Sequence, residues 1–131
     1  MAEVTKDELR TAILNSGGRL YAVGFDLTGI DLSLVKWLSG ASLSEANLSG
    51  ADLSLTNLSG ANLSGADLTG AVLIRADLSG VDLTRANLSG ANLSGACLSE
   101  ADLIGVDLTG ANLAGVDLTG VDLSGAKGGP F

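Results

Sequence analysis

Asp or Asn recurs at every fifth position through most of this 131-residue chain. Together with one Cys and a series of Ser and Thr hydroxyls, these are the groups whose type and spacing could do chemistry. Carboxylates stacked beside one another could act as a general acid/base pair or collect a calcium ion. Either use needs a water-excluding pocket or a ligand cage, and the chain offers no loop longer than a corner to build one. Solvated charge is therefore the reading given to the Asp residues. The chain has no His, so histidine chemistry is excluded. Cys97 has no disulfide partner within the chain, and the composition gives no cysteine-rich zinc set. An acidic setting discourages thiolate formation, so Cys97 is expected to be an inert surface thiol. The Ser-Gly pairs lack the Lys pattern of a phosphate-binding loop and read as turn chemistry. No catalytic, cofactor-binding or metal-ligating residue is assigned, and the chain is expected not to be an enzyme.

Composition bounds the remaining functions. Asp plus Glu number 15 against 7 Lys plus Arg, a net charge of −8. The segment through Arg19 is neutral, with Glu3, Asp7 and Glu8 offset by Lys6, Arg10 and Arg19, so the whole excess lies downstream. Basic patches interleaved with aromatics are absent, which argues against direct nucleic-acid binding. The hydrophobic fraction is 46 %, yet the aromatics are only Tyr21, Phe25, Trp37 and Phe131, too few to anchor an ordinary globular core. No stretch approaches the roughly 18 to 20 apolar residues of a membrane-spanning helix. The first residues lack the basic start and apolar run of a secretory signal, so a cytoplasmic location is expected, in keeping with the free thiol.

The elements that position these residues follow from the period. Leu recurs in strict fives from Leu38 to Leu123, in units such as Ala61-Asn62-Leu63-Ser64-Gly65 and Val81-Asp82-Leu83-Thr84-Arg85. Leu27 and Leu32 continue it upstream in a register shifted by one. An α-helix turns about 500° in five residues, so successive leucines would smear around the cylinder. In a flat strand an odd step would throw alternate leucines onto opposite faces. The leucines share one interior only if the chain bends once per unit. The small residue two positions before each Leu then shares its inward face, and the Asp or Asn between them points outward. The remaining pair, mostly Ser-Gly or Thr-Gly, suits the corner, because Gly supplies the positive φ at the third position of a type II turn. Repeated bending winds an all-β solenoid whose coils stack by hydrogen bonds at roughly 4.8 Å.

From residue 20 to 126 the units resemble those of the pentapeptide-repeat family, Ala-(Asp or Asn)-Leu-x-x. The resemblance is to a short member of the cyanobacterial type. It implies a right-handed, four-sided (quadrilateral) β-helix with four units per coil, about five coils and a rod about 24 Å long. Residues 1–19 are expected to hold a short N-terminal capping α-helix, and residues 127–131 a C-terminal tail. Thr5 and Glu8 form a capping-box pair, Val4 and Leu9 occupy staple positions, and Gly17-Gly18 follows as a stop. Leu9, Ala12 and Ile13 share the helix face expected to cover the first coil. Phe131 is a candidate to fold over the last coil.

Three departures sharpen the expectation. The step from Leu32 to Leu38 is six, so a bulge over Val35 to Trp37 is expected to turn Lys36 to solvent. Leu20, Phe25 and Ile30 replace the usual Ala and imply a broader first coil packed against the helix. Thr56 sits at an inward position, where its hydroxyl needs a backbone carbonyl.

Two surface features carry functional expectations. Four-unit coils stack Asp82, Asp102 and Asp122 in one acidic column and alternate Asp26, Asn47, Asp67, Asn87 and Asp107 in the next. Some proteins of the resembling family protect DNA gyrase by imitating duplex DNA, which makes a gyrase-binding mimic the alternative function. Duplex DNA carries about one charge per 1.7 Å, whereas −8 over about 24 Å is one per about 3 Å. Inserted loops and a C-terminal dimer segment of that subgroup's sort are also missing. The second feature is apolar. Leu34, Leu55, Val72 and Ile74 break the polar rule for outward positions, and the stacking puts all four on one side, where they would form a partner-binding patch. The expected function is thus a non-catalytic scaffold or protein–protein interaction module with a protein partner. The chain is expected to be a monomer or a dimer through its C-terminal end.

Overall fold

A computed structural model of the chain describes residues 4–15 and 19–129, without the side chains of residue 10 and residues 12–15. A helix, α1 (Lys6–Asn15), precedes a long series of corners. The capping box forms: the Thr5 N–H donates to Glu8 Oε1 at 3.2 Å and the Glu8 N–H to Thr5 Oγ1 at 3.1 Å. Leu9 is buried in the same core as the repeat leucines, and Val4 packs against it. The expected stop at Gly17-Gly18, the inward face of Ala12 and Ile13, and the placement of Phe131 lie outside the described residues.

Each repeat closes a corner with a backbone hydrogen bond from the residue after Gly to the carbonyl of the central Leu, as from Ala61 to Leu58 and from Ala91 to Leu88, both 3.0 Å. The third residue of the corner has positive φ, +68° at both Gly60 and Gly90. That is the value a type II turn requires, and Gly reaches it at no steric cost. Leu34, Glu45, Leu55, Arg75, Arg85 and Glu100 occupy the same position with φ between 55° and 64°.

Successive coils pair in parallel, one residue per side. Tyr21, Ser42, Asn62, Asp82, Asp102 and Asp122 form one column, and Asp26, Asn47, Asp67, Asn87, Asp107 and Lys127 the next. Asp31, Asp52, Val72, Asn92 and Asn112 form the third column, and Asn57, Asp77, Cys97 and Asp117 the fourth. The chain thus meets itself every four corners and encloses a four-sided rod. Each side contributes a single isolated bridge, because a corner every five residues leaves no room for a longer strand. The ladder reaches Lys127, whose N–H donates to the Val106 carbonyl at 2.9 Å, one residue past the boundary expected at 126.

The core is a stack of Leu with Ala and Val, closed to solvent from Leu38 to Val106. It begins with Leu20 and Ala22, so a small residue serves as the first centre, ahead of Leu27. Val35 is buried and Lys36 exposed, and the pairing step across this bulge is 21 residues instead of 20, as in Asp26 with Asn47 against Asn47 with Asp67. Thr56 is buried, and its Oγ1 donates to the Leu53 carbonyl at 2.7 Å. Phe25 does not join the interior: it is 44 % exposed, because its ring is too large for the space that Ala fills in later coils. At the other end Leu113, Val116, Leu118, Val121 and Leu123 are only partly buried, since no described coil stacks beyond them.

An added Cβ at Gly90 would meet no atom within 4 Å, so only the backbone resists it. Gly90→Ala is expected to cost about 1 kcal/mol and to lower the denaturant midpoint without changing the slope. Leu88→Ala, in the fully buried stack, should cost about 2–5 kcal/mol by the same measurement.

Candidate functional site

The Asp and Asn side chains face outward but bend back onto their own corner. Asp26 Oδ1 accepts the Thr28 N–H at 3.1 Å and its hydroxyl at 2.6 Å, and Asp122 Oδ1 takes the Ser124 N–H at 2.9 Å and hydroxyl at 2.6 Å. Asn does the same work: Asn57 Oδ1 accepts the Ser59 N–H at 3.0 Å and hydroxyl at 2.7 Å. A carbonyl-type oxygen is all the corner needs, which explains why Asp and Asn interchange. This clasp was absent from the expectation of simple outward charge. The spacing Asp/Asn-x-Ser/Thr carries the signal, because a short acceptor two residues before a hydroxyl is an Asx-turn pattern.

Asp82, Asp102 and Asp122 do stack as consecutive rungs. Each is tied to its corner through Oδ1, to Thr84, to the Ile104 N–H at 3.1 Å and to Ser124 respectively. Among the described residues no group of His, Cys, Asp or Glu is arranged to hold a metal ion. Cys97 is partly buried between the rungs of Asp77 and Asp117, its Sγ 3.3 Å from the Ser99 hydroxyl. Among the described residues no buried side-chain polar atom lacks a hydrogen-bond partner.

The apolar positions are brought together on one corner and the side leading to it. Leu34, Leu55 and Arg75 are successive corner residues: the Leu34 N–H donates to the Ser54 carbonyl at 2.8 Å, that of Leu55 to the Ile74 carbonyl at 2.9 Å, and that of Arg75 to the Ser94 carbonyl at 2.9 Å. Val72 follows Asp31 and Asp52 in the adjoining column. Leu34 is 64 % and Leu55 47 % exposed, while Val72 and Ile74 are half-buried. Sequence reasoning did not single out Tyr21, Val23 and Ile104, which are exposed on another side. They occupy the same outward positions of the repeat as the patch residues, so the rule that found Ile74 also marks them.

Residues 38–73, 66–103 and 96–127 match the family description "Pentapeptide repeats", with 8 copies. The chain belongs to the pentapeptide-repeat family. The family and its solved structures carry a right-handed quadrilateral β-helix, to which the four-column ladder conforms. A pentapeptide repeat protein of the Arabidopsis thaliana thylakoid lumen is 34 % identical, with 81 % of this chain and 69 % of that chain covered and a TM-score of 0.64. A pentapeptide repeat protein from Nostoc is 33 % identical over 93 % of this chain and 99 % of that chain, with a TM-score of 0.37. QnrB1, described as a plasmid-mediated fluoroquinolone resistance protein, is 25 % identical over 84 % and 65 %, with a TM-score of 0.34. None of the curated proteins matches the chain. No described helix of this pentapeptide-repeat protein is long and apolar enough to cross a membrane.

The clasp has a pH signature. Hydrogen bonds from the Thr or Ser two residues on, first from the hydroxyl and then from the N–H, lower the carboxyl pKa of Asp26, Asp31, Asp107, Asp117 and Asp122. A lowered folded-state pKa means that the stabilisation is fully present above the unfolded value, about 3.9, and is lost as pH falls through the folded value. Carboxyl NMR titration should give midpoints below about 3.9 for Asp117 and Asp122, and the melting temperature should fall from about pH 4 downward. Midpoints at or above that value would remove the clasp as a stabilising device.

Proposed function

We propose that this pentapeptide-repeat protein is a non-catalytic scaffold, a protein–protein interaction module whose contact surface is the strip Leu34, Leu55, Val72 and Ile74. One observation carries the reading: two successive corners hold an exposed leucine with φ of 64° and 58° where the turn favours Gly. The left-handed backbone costs about 1–2 kcal/mol per non-Gly residue, and the exposed apolar area adds nothing to folding. Glu45, Arg75, Arg85 and Glu100 share that backbone, so it is the exposed apolar area at two successive corners that a contact made elsewhere accounts for. The Asp and Asn side chains tied to their own corners support the same reading, since among the described residues no group of His, Cys, Asp or Glu is arranged to hold a metal ion. Pentapeptide-repeat proteins are in general structural or interaction modules.

Immobilised wild-type protein should retain a protein from native cell extract that a Leu55→Ser/Ile74→Ser variant of equal stability does not retain. Identical capture by both proteins would discard the strip.

A second reading, a DNA-mimicking protein that binds and protects DNA gyrase, draws on the consecutive column of Asp82, Asp102 and Asp122. The column is short, and its carboxylates each spend one oxygen on their own corner. The purified protein is expected to leave gyrase supercoiling unchanged at micromolar concentration; salt-sensitive inhibition that disappears with Asp102→Asn/Asp122→Asn would establish the mimic instead.

A further inference from the structure

We propose that the side of the last described coil from Val121 to Ser124 is a flap, held partly open by the stacked carboxylates of Asp102 and Asp122 and closed by dissolved salt. The inference is independent of the Leu34–Leu55 strip and rests on the ladder bonds between that coil and the one before it. At the Asn112 rung the Leu93 N–H donates to the Asn112 carbonyl at 2.9 Å, and the Asn112 N–H to the Ala91 carbonyl at 2.9 Å. At Asp117 the corresponding bonds, from Leu98 and to Ala96, measure 3.0 and 3.2 Å. At Asp122 the Leu103 N–H reaches the carbonyl at 3.2 Å, and the Asp122 N–H makes no bond to Ala101. At Lys127, farther along the chain, both bonds are short again, 2.8 Å from Leu108 and 2.9 Å to Val106.

Ordinary fraying loosens a stack progressively towards its end and does not leave a tight rung beyond a loose one. Charge distinguishes the two rungs. Asp122 stands over Asp102, whereas Lys127 stands over Asp107. Like charges directly opposite on a ladder destabilise it and unlike charges stabilise it. The clasps hold both acids at their rungs: Asp102 Oδ1 accepts the Ile104 N–H, and Asp122 Oδ1 the N–H and hydroxyl of Ser124. Glu100 adds a third acid at the preceding corner, its Oε1 2.5 Å from where a Cβ on Gly120 would stand. Asp102 also stacks on Asp82, but that rung has a whole coil on either side, and its bonds stay at 2.8 Å from Leu83 and 2.9 Å to Val81. The corners flanking the loose rung are closed, with the Glu100 N–H on the Thr119 carbonyl at 2.8 Å and the Gly105 N–H on the Ser124 carbonyl at 2.9 Å. The segment therefore bows outward between two fixed corners and uncovers the Ala101 carbonyl and the Leu103 N–H. Salt screens the repulsion that bows it, because the Debye length falls from about 30 Å at 0.01 M to about 3 Å at 1 M.

Amide hydrogen exchange of the full chain, followed by NMR with Leu93 as internal reference, reads the flap at Leu103. Leu103 and Leu108 both follow an Asp, so their intrinsic exchange rates match. At about 0.01 M salt Leu103 is expected to exchange faster than Leu108, and at about 1 M the difference should close. Asp122→Asn removes the charge and keeps the clasp, as Asn57 shows. It should slow Leu103 exchange about two- to fivefold at low salt and abolish the salt response. Lys127→Glu should transfer the effect to Leu108, whose exchange then quickens by a similar factor. Exchange that rises steadily from Leu93 through Leu103 to Leu108 overturns the proposal, as does a Leu103 amide indifferent to salt or to Asp122→Asn.

Discussion

Every fifth residue of the rod must adopt a corner conformation while its neighbours give their N–H and C=O groups to the coils on either side. The two demands meet in five residues. Leu93, for example, accepts at its carbonyl from the Ala96 N–H at 2.9 Å and donates its own N–H to Asn112 of the next coil at 2.9 Å. The turn and the ladder thereby satisfy the backbone together, and the side chain of the same residue fills the interior. Stability in such a stack comes from nearest neighbours, so a local defect is felt by the coils above and below it. The N-terminal coil has α1 beside it, with Leu9 entering the core, whereas the last described coil keeps its leucines partly exposed.

The odd period made most of this architecture legible. A five-residue spacing of Leu excludes a helix face and a flat strand, and it places Ala and Leu inward with Asp or Asn outward. Thr5 with Glu8, Thr56 with a nearby carbonyl and Lys36 at a six-residue step were each legible because an unsatisfied polar group has few places to go. The misreadings have physical causes. Phe25 was counted as a large inward substitute for Ala, but the cross-section is fixed by the ladder and does not widen to admit a ring. Ala22 escaped notice as a centre because a count keyed to Leu cannot see a smaller residue in the same place.

Of the candidate surface, the placement was legible and the local chemistry was not. Four units per coil bring Leu34, Leu55 and Ile74 to one corner and Asp82, Asp102 and Asp122 to one column, as backbone pairing requires. Whether a carboxylate faces solvent or folds back depends on donors presented by the turn, and these appear only once the corner has closed. The left-handed backbone of Leu34 and Leu55 is likewise a property of the corner and not of leucine.

The clasp over each corner separates the molecule's electrical character from its skeleton. Because Asn57 and Asp122 make equivalent bonds, exchanging acid for amide alters the field around the rod and leaves the winding untouched. Drift or design can therefore recolour the exterior, from strongly anionic to nearly neutral, on a frame whose shape is dictated from within.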